Sequence, residues 1–350
     1  MKPKVLFFAV ALNITICLLH ISSNAQDIHF SQFNMTPLVL NPALAGVFEG
    51  DQRAFLNYKN QWQGMGMPGA TYSTGLFSFD THFFKKKWSK GYIGAAINAF
   101  KDVAGDLKMG TTQLNFSFSG IVFLNEQQLI SGGLQGGYVQ KSISAAAMQY
   151  ENQYNPGTGT YDPSMLSGDI GAVPPATYGD FSTGISWSYN KDKSTLVASN
   201  KIVKINLGLA ALNINSPKQN FTANGITDQL YSRYLLSGTA SIGIKNTNLL
   251  LMPNAMLVKQ GPSYEFNSGA LLRYSVKEIA VSAGAQWRLK DAVIPVLLIE
   301  YSQYAMGISY DVNTSQLNKG TNRKGGIEIS LRYLSPNPFH YTASRLYNLK

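Results

Sequence analysis

A hydrophobic period of two, repeated along most of the chain, limits what this sequence can fold into. Leu114, Phe116, Phe118 and Val122 alternate with Gln113, Asn115, Ser117 and Ser119. Phe181, Thr183, Ile185, Trp187 and Tyr189 alternate with Ser182, Gly184, Ser186 and Ser188. The same holds for Leu236–Lys245, Ile279–Leu289 and Ile327–Tyr333. In a strand, such a pattern gives one apolar and one polar face. Segments of about 10 residues span a bilayer when tilted. A soluble sandwich shows the same alternation, but with shorter strands and, in a chain this long, a division into domains. Charged residues make up only 14%, beside 32 Gly, 19 Tyr and 18 Phe, a balance that suits an outer-membrane barrel. The expected fold is therefore all-β: a transmembrane antiparallel up-and-down β-barrel of about 14 strands.

The expected strands are 52–60, 69–80, 90–101, 110–124, 128–141, 178–190, 202–214, 234–245, 248–259, 263–274, 278–289, 293–302, 304–313 and 325–334. An even count leaves both chain termini in the periplasm, with short turns there and long loops outside. The connections 61–68, 102–109, 142–177, 215–233 and 314–324 then face out, and 125–127, 246–247, 275–277 and 302–303 face in. The segments 81–89 and 191–201 are longer than a periplasmic turn needs, and 261–262 and 290–292 are shorter than a surface loop. The loop 142–177 carries Tyr150, Tyr154 and Tyr161 among Asn, Gly and Pro, a composition suited to binding a protein cargo. Residues 215–233 form a second candidate loop.

Residues 1–25 read as a secretory signal: Lys2 and Lys4, an apolar run, then Ser23-Asn24-Ala25 as the cleavage site. Cys17, the one cysteine, leaves with it, so the exported chain has no thiol chemistry. A net charge of +10 is scattered, and export argues against a nucleic-acid partner. His29, His82 and His340 lie far apart, without metal-ligand spacing, and no GxSxG elbow is present. Gly132–Gly137 lacks the Lys-Ser/Thr of a phosphate loop, and its glycines fit close packing on an interior plug or strong bending. A calcium-loop likeness from Asp311 fails at Gln316 and Asn322. The residues therefore call for no enzyme activity and no cofactor. Trp62, Tyr72, Trp88, Tyr92, Tyr178, Trp187, Tyr274, Trp287, Tyr301, Tyr310 and Tyr333 are expected in the interfacial aromatic girdles.

The stretch 26–51 stands apart. Pro37 and Pro42 break both helix and strand, yet it carries Phe30, Phe33, Leu38, Val39, Leu40 and Leu44. It is expected at the periplasmic mouth of the barrel 52–334, where it enters the lumen as a plug or docks a periplasmic partner. The segment 335–350 is read as a tail.

Two stretches resemble a known family. Phe30-Ser31-Gln32-Phe33, Pro37, Leu40-Asn41-Pro42-Ala43 and Gly46 resemble the "FSQ…P…LNPA" opening of the PorP/SprF family, and Gln61-Trp62 its QW. Tyr310-Asp311, Asn313, Ser315 and Leu317, then Glu328–Leu331 and Tyr333, are similar to its ending. These are outer-membrane proteins of the type IX secretion and gliding machinery of Bacteroidetes-type bacteria. The resemblance implies a 14-stranded barrel without chemistry of its own. Its partners would be secretion components or a secreted, adhesin-like surface protein with a C-terminal sorting domain. The alternative from the residues alone is a channel or hydrophobic-solute transporter.

Overall fold

The computed structural model describes residues 30–61, 72–85, 87–105, 108–144, 151–162, 164–166, 175–191, 203–220, 227–315 and 324–336. Fourteen strands close into one antiparallel barrel. They are β1 Gln52–Gln61, β2 Tyr72–Phe83, β3 Gly91–Ala104, β4 Met109–Phe123, β5 Gln128–Ser142, β6 Ala176–Asn190, β7 Val203–Leu212, β8 Arg233–Gly243, β9 Leu249–Gln260, β10 Ser263–Val276, β11 Ile279–Arg288, β12 Ala292–Tyr301, β13 Tyr304–Asn313 and β14 Lys324–Ser335. Each strand pairs with its neighbours in sequence, and β1 pairs with β14 from Gln52↔Ser335 to Gln61↔Gly326. The count and order agree with the sequence expectation. The second strand is described from Tyr72, since 69–71 lie outside the described residues, and it runs on past 80 through His82 and Phe83.

Burial is inverted relative to a soluble protein. Leu114, Phe116, Phe118 and Val122 of β4 are exposed, while Asn115, Ser117 and Ser119 are buried. On β6, Phe181 and Ile185 are exposed, and Asp180, Ser182 and Ser186 are buried. The apolar set thus faces lipid and the polar set faces the lumen. Strand β12 departs from this rule, because Ile294, Val296 and Leu298 are apolar on its inner face as well.

One barrel end carries the connections after β1, β3, β5, β7, β9, β11 and β13, among them the longest. The other carries the turns after β4, β8, β10 and β12, which are short, together with the start of β1 and the end of β14. We call these the long-loop end and the short-turn end. Exposed Tyr58, Tyr138, Tyr234, Trp287 and Tyr310 ring the first, and Phe83, Trp88, Tyr274, Tyr301 and Tyr304 ring the second. Tyr92 does not join either ring. It points inward, 3% exposed, with its ring 5.4 Å from His82 and 5.6 Å from Phe123. Trp62 lies outside the described residues.

Candidate functional site

The lumen is occupied by the chain's own residues 30–50. Proline shapes this inner segment. Pro37 starts a single helical turn, Pro37–Leu40, where a missing N–H costs nothing. Asn41 then caps a 3-10 turn, Pro42–Leu44, by accepting from Ala43 N at 2.9 Å. Because the segment forms no ladder, its backbone must find other partners.

The inward polar side chains of the wall supply them. Ser131 donates to Ala43 O at 2.7 Å and Ser119 to Ala45 O at 2.6 Å. Asp80 accepts from Gly46 N at 2.9 Å, and Arg53, paired with Asp80, donates to Leu44 O. Asn41 donates to the strand carbonyls of Ile185 and Leu209. Small residues make room. A Cβ at Gly133 would meet the Pro42–Ala43 backbone, and one at Gly184 would meet the Asn41 side chain. The Gly132–Gly137 run thus serves close packing at Gly133, as its composition suggested.

Apolar burial holds the segment as well. Phe33 packs among Ala210, Leu212, Leu235, Met256 and Val258, and Met35 against Phe55, Leu298 and Ala305. Leu38 packs with Ala45 and Ala96. Each such side chain contributes about 1.5–3 kcal/mol on full burial.

Toward the long-loop end the segment meets a charged cluster. Both oxygens of Glu328 accept backbone N–H groups, from Ser31 at 2.6 Å and Gln32 at 3.1 Å. The Gln32 amide donates to Glu328 O and accepts from Ser330. Ser31 Oγ donates to Asp311 at 2.6 Å and accepts from Lys59 at 3.0 Å and Arg288 at 2.9 Å. Lys59 and Arg288 also pair with Asp311, at 3.3 and 3.2 Å. Arg288 reaches Asp291 at 2.8 Å as well.

The two stretches that carried the family resemblance therefore meet inside the barrel, 297 residues apart in sequence. Asn313 is also inward and buried, beside Asp311. Tyr310 faces outward and is exposed, and Tyr333 rests on Tyr304, 5.4 Å between ring centres, so neither enters the cluster. Ser315 sits in the β13–β14 connection, its N–H on Asp291 O. Gln61 ends β1 opposite Gly326. Ser330 lay in the C-terminal stretch of the resemblance, whereas Lys59 and Arg288 were missed. The signal for them was a charge on the polar side of an alternating strand, where it must point inward.

At the short-turn end the segment is clamped again. Glu49 pairs with Lys204 at 2.7 Å, and His82 Nε2–H donates to Gly50 O at 2.6 Å. Phe30–Gly50 thus enters the lumen from the short-turn mouth and runs the depth of the barrel, the plug of the two arrangements that the sequence left open. What remains there is a vestibule of about 490 Å³, floored by Leu40, Leu44, Val47 and Phe48.

Lys85, in the turn after β2, reaches Phe48 O at 3.4 Å and lies 4.9 Å from the Tyr92 ring centre. Burial pushes its ammonium down to about 8, while Glu49 and Asp51 pull it up. The folded value lies below the free-lysine value, so the unfolded chain binds more protons between about pH 8 and 10.5. Stability therefore rises with pH through that window, and the cost of the buried charge is fully present below it. Lys85→Met should lack this rise. In urea titrations at pH 7.5 and 10, the wild type is expected to gain about 1–3 kcal/mol on the variant.

Of the candidate cargo tyrosines, Tyr154 is exposed and pairs with Tyr161 in a two-strand hairpin, Tyr154–Asn155 with Thr160–Tyr161. Tyr150 lies outside the described residues. A second hairpin, Lys218–Asn220 with Thr227–Gln229, stands in the other long loop.

Among solved structures, a Pseudomonas aeruginosa FadL homologue aligns at 10% identity over 86% of this chain and 93% of its own, with TM-score 0.48. The Ralstonia pickettii toluene transporter TbuX aligns at 11% identity over 89% and 95%, with TM-score 0.47. The translocator domain of the autotransporter NalP from Neisseria meningitidis aligns at 10% identity over 86% and 95%, with TM-score 0.39. No curated protein matched the chain. The model of the type IX secretion system membrane protein PorP/SprF matches residues 22–333. With that match running from residue 22 into the last strand, the chain belongs to the PorP/SprF family of type IX secretion system membrane proteins.

Proposed function

We propose that this protein is a non-enzymatic outer-membrane barrel that assists export, or holds at the cell surface, a secreted adhesin-like protein with a C-terminal sorting domain. A signal over residues 1–25 would bring it to the periplasm, and the short turns would stay there. The observation that carries this reading is the occupied lumen. A barrel filled by its own residues 30–50, held at both ends, suits a docking platform better than a pore. The long-loop end then faces outward with its two hairpins, and the exposed Tyr154 is the first candidate contact for cargo. Secretion components are the expected membrane and periplasmic partners, in support of export and gliding.

Affinity purification of the tagged protein from its own cells tests the proposal. It should recover a secreted protein with a C-terminal sorting domain or other type IX components, and the deletion strain should lose that protein from its surface. Recovery of neither, with normal secretion in the deletion strain, would reject it. The alternative, a solute channel, draws on the vestibule at the short-turn end. It requires steady conductance from the intact protein in planar bilayers.

A further inference from the structure

Three strands of the vestibule wall bring two guanidinium groups to a single carboxylate. Arg273 on β10 and Arg332 on β14 reach Glu300 on β12, at 2.9 and 2.5 Å. Glu300 and Arg273 are buried, and Arg332 is partly open to the vestibule. All three line it. Alternation explains the convergence, since each residue occupies an inward position near the short-turn end of its strand. Ala280 on β11 and Ala305 on β13, both inward and fully buried, leave the long side chains room to lie along the wall.

This cluster is not balanced. Two fixed positive charges face one negative one. The Nε of Arg273, the Nε of Arg332 and the Oε2 of Glu300 have no hydrogen-bond partner among the described residues, so the Glu300 carboxylate does not satisfy either fork fully. A buried guanidinium N–H left unpaired is costly, and its planar fork suits a second carboxylate or a phosphate. The vestibule floor has the opposite character. Leu40, Leu44, Val47 and Phe48 of the inner segment are only half-buried at an open mouth. That leaves apolar surface and an unanswered positive charge on the same 490 Å³ cavity.

We propose that the vestibule is a binding site for an anionic amphiphile, its carboxylate or phosphate held by Arg273 and Arg332 and its apolar chain lying on Leu40–Phe48. The inner segment closes the far side, so the ligand binds from the short-turn end and stays there. The site stands independently of the secretion role. Glu300 holds the two arginines apart and competes with the ligand for them.

The test uses the full barrel in lipid nanodiscs with a diazirine-bearing dodecanoate as the photoprobe. Label is expected on the 40–48 segment. Dodecanoate and dodecyl phosphate should both displace it, which distinguishes a carboxylate source from a phosphate one by their relative strength. Dodecanol should not. Arg273→Gln with Arg332→Gln should weaken labelling about tenfold or more. Glu300→Gln should strengthen it about threefold, which a merely structural role for Glu300 would not produce. Folding of each variant is checked by the mobility shift of unheated barrel on a gel. Displacement by dodecanol as strong as by dodecanoate would overturn the anion site. Equal displacement by inorganic phosphate alone would overturn the amphiphile. Unchanged labelling in a folded double variant would overturn the assignment to these arginines.

Discussion

A protein lacking residues 30–46 should conduct ions where the full protein is silent. Fourteen strands enclose a lumen wide enough for solutes, and the inner segment fills it. Without that segment, Asn98, Ser119, Ser131 and Asp80 would face water instead of its backbone. The wall ladder does not depend on it, since every strand keeps both neighbours. The deleted protein should therefore still insert and migrate as a folded barrel. Its small-sugar influx in proteoliposomes should rise about an order of magnitude or more, and planar bilayers should show frequent open steps. A silent deleted protein would mean that something other than this segment closes the lumen.

The second large effect is expected at Asp311 and Glu328. Asp311→Ala leaves Lys59 without a carboxylate at 3.3 Å and Ser31 Oγ without its acceptor. Removing one member of a buried charge network costs about 3–5 kcal/mol, because the groups it offset stay buried. Arg288 keeps Asp291, so the loss falls mainly on Lys59 and the inner segment. Glu328→Ala strips the acceptor from two adjacent backbone N–H groups, with an expected cost of about 2–5 kcal/mol. Both variants should lower the urea midpoint and expose the segment to limited proteolysis near Phe30–Phe33. Lys59→Met with Asp311→Leu, which removes both charges, should recover much of the loss. If the double variant is as unstable as Asp311→Ala, the charge argument fails.

How much of this was legible beforehand differs by level. The barrel, its strand number and the alternation of long and short connections follow from a period of two, because lipid on one side and lumen on the other enforce it residue by residue. The Gly132–Gly137 run was readable as a place of close packing or bending, because glycine inside a strand frees space, but not that Gly133 is the one the inner segment touches. The path of the inner segment was not readable. Pro37 and Pro42 forbid regular structure but do not say where an irregular segment lies. Its position is set by wall side chains dispersed from Lys59 to Ser330. Tyr92 shows the limit at single residues. An aromatic near a strand end suggests an interfacial ring, but its parity on β3 turns it inward against His82. Strand β12 hid its apolar inner face in the same way, since Ile294, Val296 and Leu298 read as part of a continuous apolar run.

The contact between Ser31 and Glu328 also bears on how the molecule is made. It joins the first described residues to the last strand, and nearly the whole chain lies between them. Contacts so distant in sequence form late, because the intervening chain must be ordered before they can close. The segment that comes first is thus fastened last. Its anchors, Lys59 on β1 and Glu328 on β14, also flank the seam where the barrel shuts. A chain cut short before β14 would have neither a closed wall nor a secured interior. The same few hydrogen bonds that hold the lumen shut therefore act as a proof of completion, made only when the entire polypeptide has been delivered and assembled.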